Sequence, residues 1–226
     1  MRTFTRWLAV VGIAAFGLAQ GSPIVAAPSS NTLPIITIHI SNYAGVDPKE
    51  LAEAERVTTR VFKDSGVTAR WVDAQDVSTG AYSNRQEKNG HRLSQIQVHI
   101  ETSSLAGSLG LSTEAMGLAP GNGPDRRLVY VFYDRVKNLA QRQLAAQVRG
   151  DIVGRAPGCR ILGEMIAHEI GHLLLNIPSH SETGIMRGAW DLNDLQDVAF
   201  GELLFTKQQS QVIKNEVIRR GSLDVQ

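Results

Sequence analysis

The chain has 226 residues, a formal net charge of +1, six histidines and one cysteine. Near-neutrality with dispersed charge excludes a general electrostatic attraction to nucleic acid or to an anionic membrane surface. One cysteine excludes an internal disulfide, so the fold must rest on its core and on any metal it holds.

The chain opens with "MRTFTRWLAVVGIAAFGLAQGSPIVAAPSS", in which Arg2 and Arg6 precede an apolar run from Trp7 to Leu18 and small residues follow. That is the order of a secretory signal peptide. The run is short for a membrane span, which takes roughly 20 residues. The expected organisation is a signal peptide over 1–27 and a single domain over 28–226, exported to the extracellular space or periplasm. About 200 residues suffice for one substantial core.

"LPIITIHIS" alternates, with Ile36, Ile38 and Ile40 in phase, and reads as a strand. "DPKELAEAERVTTRVFKDSG" reads as a helix, with Asp47 as N-cap, Pro48 at the first helical position, Leu51, Ala54, Val57 and Val61 in phase, and Gly66 as the stop. "VTARWV" and "SQIQVHIE" are further strands. The glycine-rich "SLGLSTEAMGLAPGNGPDR" predicts an exposed edge strand and a turn. "RLVYVFYDRV" is the most apolar strand candidate and is expected at the centre of the sheet. A helix is expected from near Val136 to Arg149, then a loop. The final helix is expected from an N-cap at Thr206 to Arg220, bracing the core through Val212, Ile213 and Val217 and stopping at Gly221.

The helix "CRILGEMIAHEIGHLLL" carries the chemistry. Leu162, Ile166, Ile170 and Leu173 form a core stripe, and His168 and His172 fall one turn apart on another face. Two imidazoles at that spacing can share one metal ion, and Glu169 is held beside it without having to bind it. His180 is too far along for an unbroken helix to bring it to the same ion. The sequence provides a turn: Asn176 tolerates a left-handed conformation, Ile177 precedes a proline, and Pro178 cannot continue the hydrogen-bond ladder.

His168, Glu169, His172, the turn, His180 and then "GIM" resemble the zinc-binding segment and Met-turn of the metzincin metallopeptidases. The resemblance covers roughly Ile161 to Arg187. It implies an α+β fold with a mixed twisted sheet packed on helices and the active-site helix under a cleft. It also implies zinc on His168, His172 and His180, with Met186 as a hydrophobic base beneath them. The chain departs from the usual spacing. Leu175 stands at the glycine position, Pro178 stands at the third-histidine position, and His180 arrives two places later. Glu182, Asp191 and Asp194 are therefore alternative third ligands.

The function expected is a secreted zinc endopeptidase that hydrolyses peptide bonds through a metal-activated water, with Glu169 as general base. The alternatives are a zinc amidase on a non-peptide substrate and a non-catalytic exported zinc-binding module. The expected partner is a peptide or protein substrate, with no nucleic acid, no stable membrane anchor and a monomeric state. Cys159 is expected to be a buried, unreactive thiol rather than a latency switch on the zinc. Ordinary structural or surface roles are expected for His39, His91 and His99. Trp71 should pack, and Trp190 is close enough to the Met-turn to line a pocket.

Overall fold

The computed structural model describes residues 32–73, 94–120, 126–149 and 157–224. The expected leader and His91 lie outside them. Leu33–Gln226 forms one compact unit, and the elements below belong to it.

Alternation in the sequence becomes the two faces of a sheet. Strand β1 (Ile35–Asn42) buries Ile36, Ile38 and Ile40 and leaves Thr37 and His39 half-buried. It pairs in parallel with β2 (Thr68–Asp73) on one side and β3 (Gln95–Glu101) on the other. Strand β5 (Leu128–Phe132) pairs in parallel with β3, and the two-residue β4 (Gly117–Leu118) pairs antiparallel with β5. The order is β2-β1-β3-β5-β4. The registers set Ile38 beside Ile96, Ile40 beside Val98 and Val98 beside Val129, so one apolar face crosses three strands. The edge strand appears where the glycine-rich segment predicted it. The central strand is β3, not β5.

Helix α1 (Pro48–Asp64) begins as expected: the Asp47 carboxylate accepts from the Lys49 and Glu50 amides, and Pro48 sits in the first turn. A short helix α2 (Ser103–Ser108) follows β3 and was not anticipated. Helix α3 (Tyr133–Arg149) starts directly after β5, earlier than predicted. Val136, Leu139, Ala140 and Gln143 are buried at helical spacing, which overrides the apolar continuity that made Tyr133 look like strand. Helix α5 (Leu192–Phe200) was also not foreseen. Helix α6 (Lys207–Leu223) has the predicted Thr206 cap but runs through Gly221. The Asp224 amide still reaches the Arg220 carbonyl, and its carboxylate holds the Ser94 amide at 2.9 Å. Ile213 and Val217 of α6 are buried, whereas Val212 is exposed.

Helix α4 (Gly158–Leu175) is the axis of the core, buried on nearly every side from Ile161 to Leu174 and touching every other long helix. It meets α1 in close backbone contact. A Cβ at Gly163 would stand 2.5 Å from the Ala54 carbonyl oxygen, and the Thr58 hydroxyl donates to the Gly163 carbonyl at 2.7 Å. A larger residue at 163 would push apart the two helices that hold the site against the sheet. Among the described residues, no helix is long and apolar enough to cross a membrane.

Candidate metal centre

Helical periodicity places His168 and His172 side by side on α4, their Nε2 atoms 3.1 Å apart. Each ring is oriented from behind. His168 Nδ1 lies 2.7 Å from the Ile185 carbonyl oxygen, and His172 Nδ1 lies 2.9 Å from that of Ile177. A carbonyl only accepts, so both Nδ1 atoms carry the proton and both Nε2 lone pairs face the shared space. Burial pushes the His168 pKa down to about 3 and also lowers that of His172, which keeps the imidazoles neutral as metal ligation requires.

The helix stops where the sequence says it must. Asn176 adopts the left-handed conformation at φ 56°, and the chain turns through Ile177 and Pro178. The turn brings His180 back, its ring 5.4 Å from that of His168 and 5.0 Å from that of His172. One nitrogen from each of the three lies within 4.8 Å of the others, and together they can hold a metal ion. Nitrogens bound at about 2.1 Å to a tetrahedral ion stand about 3.4 Å apart. The His168–His172 pair already fits, and a small swing of the exposed His180 closes the set.

Met186 is fully buried beneath the site. A Cβ at Gly171 would meet its sulfur at 2.6 Å and the Phe205 ring at 2.8 Å, so the methionine lies directly against α4 at the residue before His172. The Ile185 carbonyl that orients His168 also accepts from Trp190 Nε1 at 3.2 Å. Ile185 is tied in turn to the Leu204 carbonyl at 3.0 Å.

The carboxylate alternatives are otherwise engaged. Asp191 caps α5 by accepting from the Asn193 and Asp194 amides, and Asp194 returns the bond from the Asp191 amide at 2.7 Å. Arg187 pairs with both carboxylates, at 3.0 Å and 2.5 Å. Glu182 is exposed and, like them, is no part of the metal-holding group found among the described residues.

Glu169 is almost wholly buried, and burial raises its pKa to about 8. A dication in the histidine cluster would favour its carboxylate form. Its carboxyl group lies against Gly117 of β4, where a Cβ would come within 2.4 Å of Oε1. Two cavities share Gly117, Glu169 and His180. One, of about 370 Å³, extends along Leu118–Pro120, the end of α4 and Arg126. The other, of about 110 Å³, is walled by Met116, Met165 and Trp190.

Sequence reasoning missed Gly117 and Gly188. A Cβ at Gly188 would stand 2.8 Å from His180 Nδ1, so this position must stay bare for the third imidazole to lie where it does. It also missed Glu164, which is fully buried on α4 and bound to Arg60 at 2.9 Å; burial raises its pKa to about 8 despite the guanidinium. Cys159, in the first turn of α4, is half-buried rather than buried, with its thiol pKa raised by burial and by Glu53. It lies about 13 Å along the helix from His168, out of reach of the site. His99 packs edge-on between Tyr43 and Tyr130, His39 sits in β1, and Trp71 donates to Thr59. No protein-family model matches the chain, and no curated protein matches it.

Proposed function

We propose that this protein is an exported zinc-dependent endopeptidase of metzincin-like type, with His168, His172 and His180 as ligands and Glu169 as general base. One juxtaposition carries the reading: three clustered imidazoles and a buried carboxyl group beside them line two cavities that share Glu169 and His180. His168, His172 and His180 would hold the zinc, which when bound would supply Lewis acidity that acidifies water and polarises a carbonyl. Glu169 takes the proton of the attacking water and returns it to the leaving nitrogen. A site kept only for stability is normally closed by a fourth ligand and has no use for Glu169. Export is proposed on the basic-then-apolar order of residues 2–18.

Strand β4 supplies a place for the substrate main chain. The Met116 carbonyl accepts from the Phe132 amide at 2.8 Å, so by alternation the polar groups of Gly117 turn to the open edge. An extended peptide adding to that edge would pass over Glu169.

The test is cleavage of a diverse peptide library by zinc-loaded protein, beside Glu169→Ala. Cleavage that disappears in the variant and under chelation supports the peptidase. Zinc bound by both proteins with no peptide cut would leave an amidase or a binding module.

A further inference from the structure

We infer that the smaller cavity selects a short aliphatic side chain next to the scissile bond, with Met165 setting its size limit. The inference rests on the hydrolase reading above and adds a substrate class to it. His168 lines the smaller cavity and His172 the larger, while Gly117, Glu169 and His180 wall both. The candidate metal centre therefore stands where the two cavities meet. An amide bond held there sends one neighbouring side chain into the smaller cavity and leaves the rest of the substrate to the larger.

The smaller cavity has an apolar floor and a charged rim. Met165 and Trp190 are buried and Met116 is half-buried. Trp190 Nε1 is taken by the Ile185 carbonyl, which leaves the carbon of its ring to meet a ligand. Arg187, on the rim, is held by Asp191 and Asp194, so its charge is already balanced against an acidic side chain. Glu114, also on the rim, is exposed and lies 3.9 Å from Arg142. A charged group pushed to the floor would lose its water and find no partner there.

Volume then sets the upper limit. At about 110 Å³ the cavity has room for roughly three or four heavy atoms at about 30 Å³ each. The side chains of valine and leucine fit; a phenyl ring, which fills a void of about 150 Å³, does not. The walls are pinned. Arg135 donates to the Ser112 carbonyl at 2.8 Å and also to the Ala115 carbonyl, and the Met116 carbonyl accepts from the Phe132 amide at 2.8 Å. On the other side Met165 projects from α4, the buried axis of the core. Walls tied in this way resist overfilling, so a larger side chain is refused instead of accommodated.

The experiment measures kcat/KM of zinc-loaded wild type, Met165→Ala and Met116→Ala on peptides that differ only in Gly, Val, Leu, Phe, Glu or Lys at each residue flanking the cleaved bond. At one flank wild type should favour Leu or Val over Gly by about 100-fold and over Phe by about tenfold or more. Met165→Ala removes the floor beyond Cβ and should turn the preference towards Phe, a gain that misfolding would not produce. Should that variant fail to fold, Met116→Ala at the half-buried edge should move the ratio of Phe to Leu in the same direction. Phe cut as readily as Leu by wild type, a preference for Glu or Lys at both flanks, or an unchanged order in the folded variants overturns the inference. Binding of the same peptides to zinc-loaded Glu169→Gln, whose side chain keeps its size, separates the two claims when read by fluorescence anisotropy. Size-dependent binding without cleavage by wild type sinks the hydrolase and keeps the selective cavity. Cleavage indifferent to side-chain size does the opposite.

Discussion

Gly188→Ala tests the third ligand without touching any ligand. The added methyl would lie 2.8 Å from His180 Nδ1, 2.9 Å from Cγ and 3.3 Å from Cβ. Gly188 is not among the glycines with positive φ, so alanine brings a steric change and no backbone penalty. Ordinary contact at about 3.4 Å requires the imidazole to move by roughly 0.6 Å, beyond the roughly 0.2 Å that metal–nitrogen distances tolerate. The exposed His180 yields more readily than the backbone at 188, so the ring loses the position from which it would close the set. Metal affinity should fall by about 10- to 100-fold, the range seen when a residue supporting a ligand is altered. The stability of the metal-free protein should change by less than about 1 kcal/mol. Zinc titration against a competing chromophoric chelator reads the first quantity, and urea unfolding in a chelator reads the second. His180→Ala should lower affinity at least as far, and the double variant should go no further, because the methyl then has nothing to displace. Wild-type affinity in Gly188→Ala would refute the placement of His180 at the metal.

Gly163→Ala drives a methyl against the Ala54 carbonyl, so unfolding should cost about 1–3 kcal/mol less and the midpoint in urea should drop. Glu164→Gln should change the pH dependence of stability. The folded-state pKa is raised to about 8 while the unfolded value is near 4.5, so wild type loses stability as pH climbs between them. The variant should gain on wild type across that window, and equal slopes in urea midpoints would count against a carboxyl group held protonated by burial. Metal-free protein should weaken in acid for the opposite reason. The unfolded chain takes a proton on His168 near pH 6.5 and the folded one only near 3, so stability present above 6.5 drains away below it, and thermal melts from pH 7 to 4 would show the fall.

Features written into the local chain were legible early. Alternating isoleucines marked β1, Asp47 and Pro48 marked the start of α1, and Asn176-Ile177-Pro178 marked the turn that returns His180. What escaped depends on partners distant in sequence. Asp191 and Asp194 were read as possible ligands because a carboxylate pair looks the same whether it coordinates or caps; the buried Leu195 and Val198 mark the helix it caps. The roles of Gly117 and Gly188 consist of side chains that are missing, and those gaps acquire meaning only against Glu169 and His180. The buried Arg220 donates to the Arg126 and Leu173 carbonyls, both at 3.1 Å, and no spacing in the sequence announces that link between three parts of the chain.

The whole imidazole set comes from one continuous stretch, His168 to His180. A short loop closes at little entropic cost, so the same histidines can gather around zinc in a chain that has not folded. Any affinity of the unfolded state for the ion subtracts from what the ion gives the native state. Zinc should therefore raise the melting temperature by less than its native-state affinity alone implies, and the shortfall at saturating metal would report how tightly this stretch holds the ion when nothing else is in place.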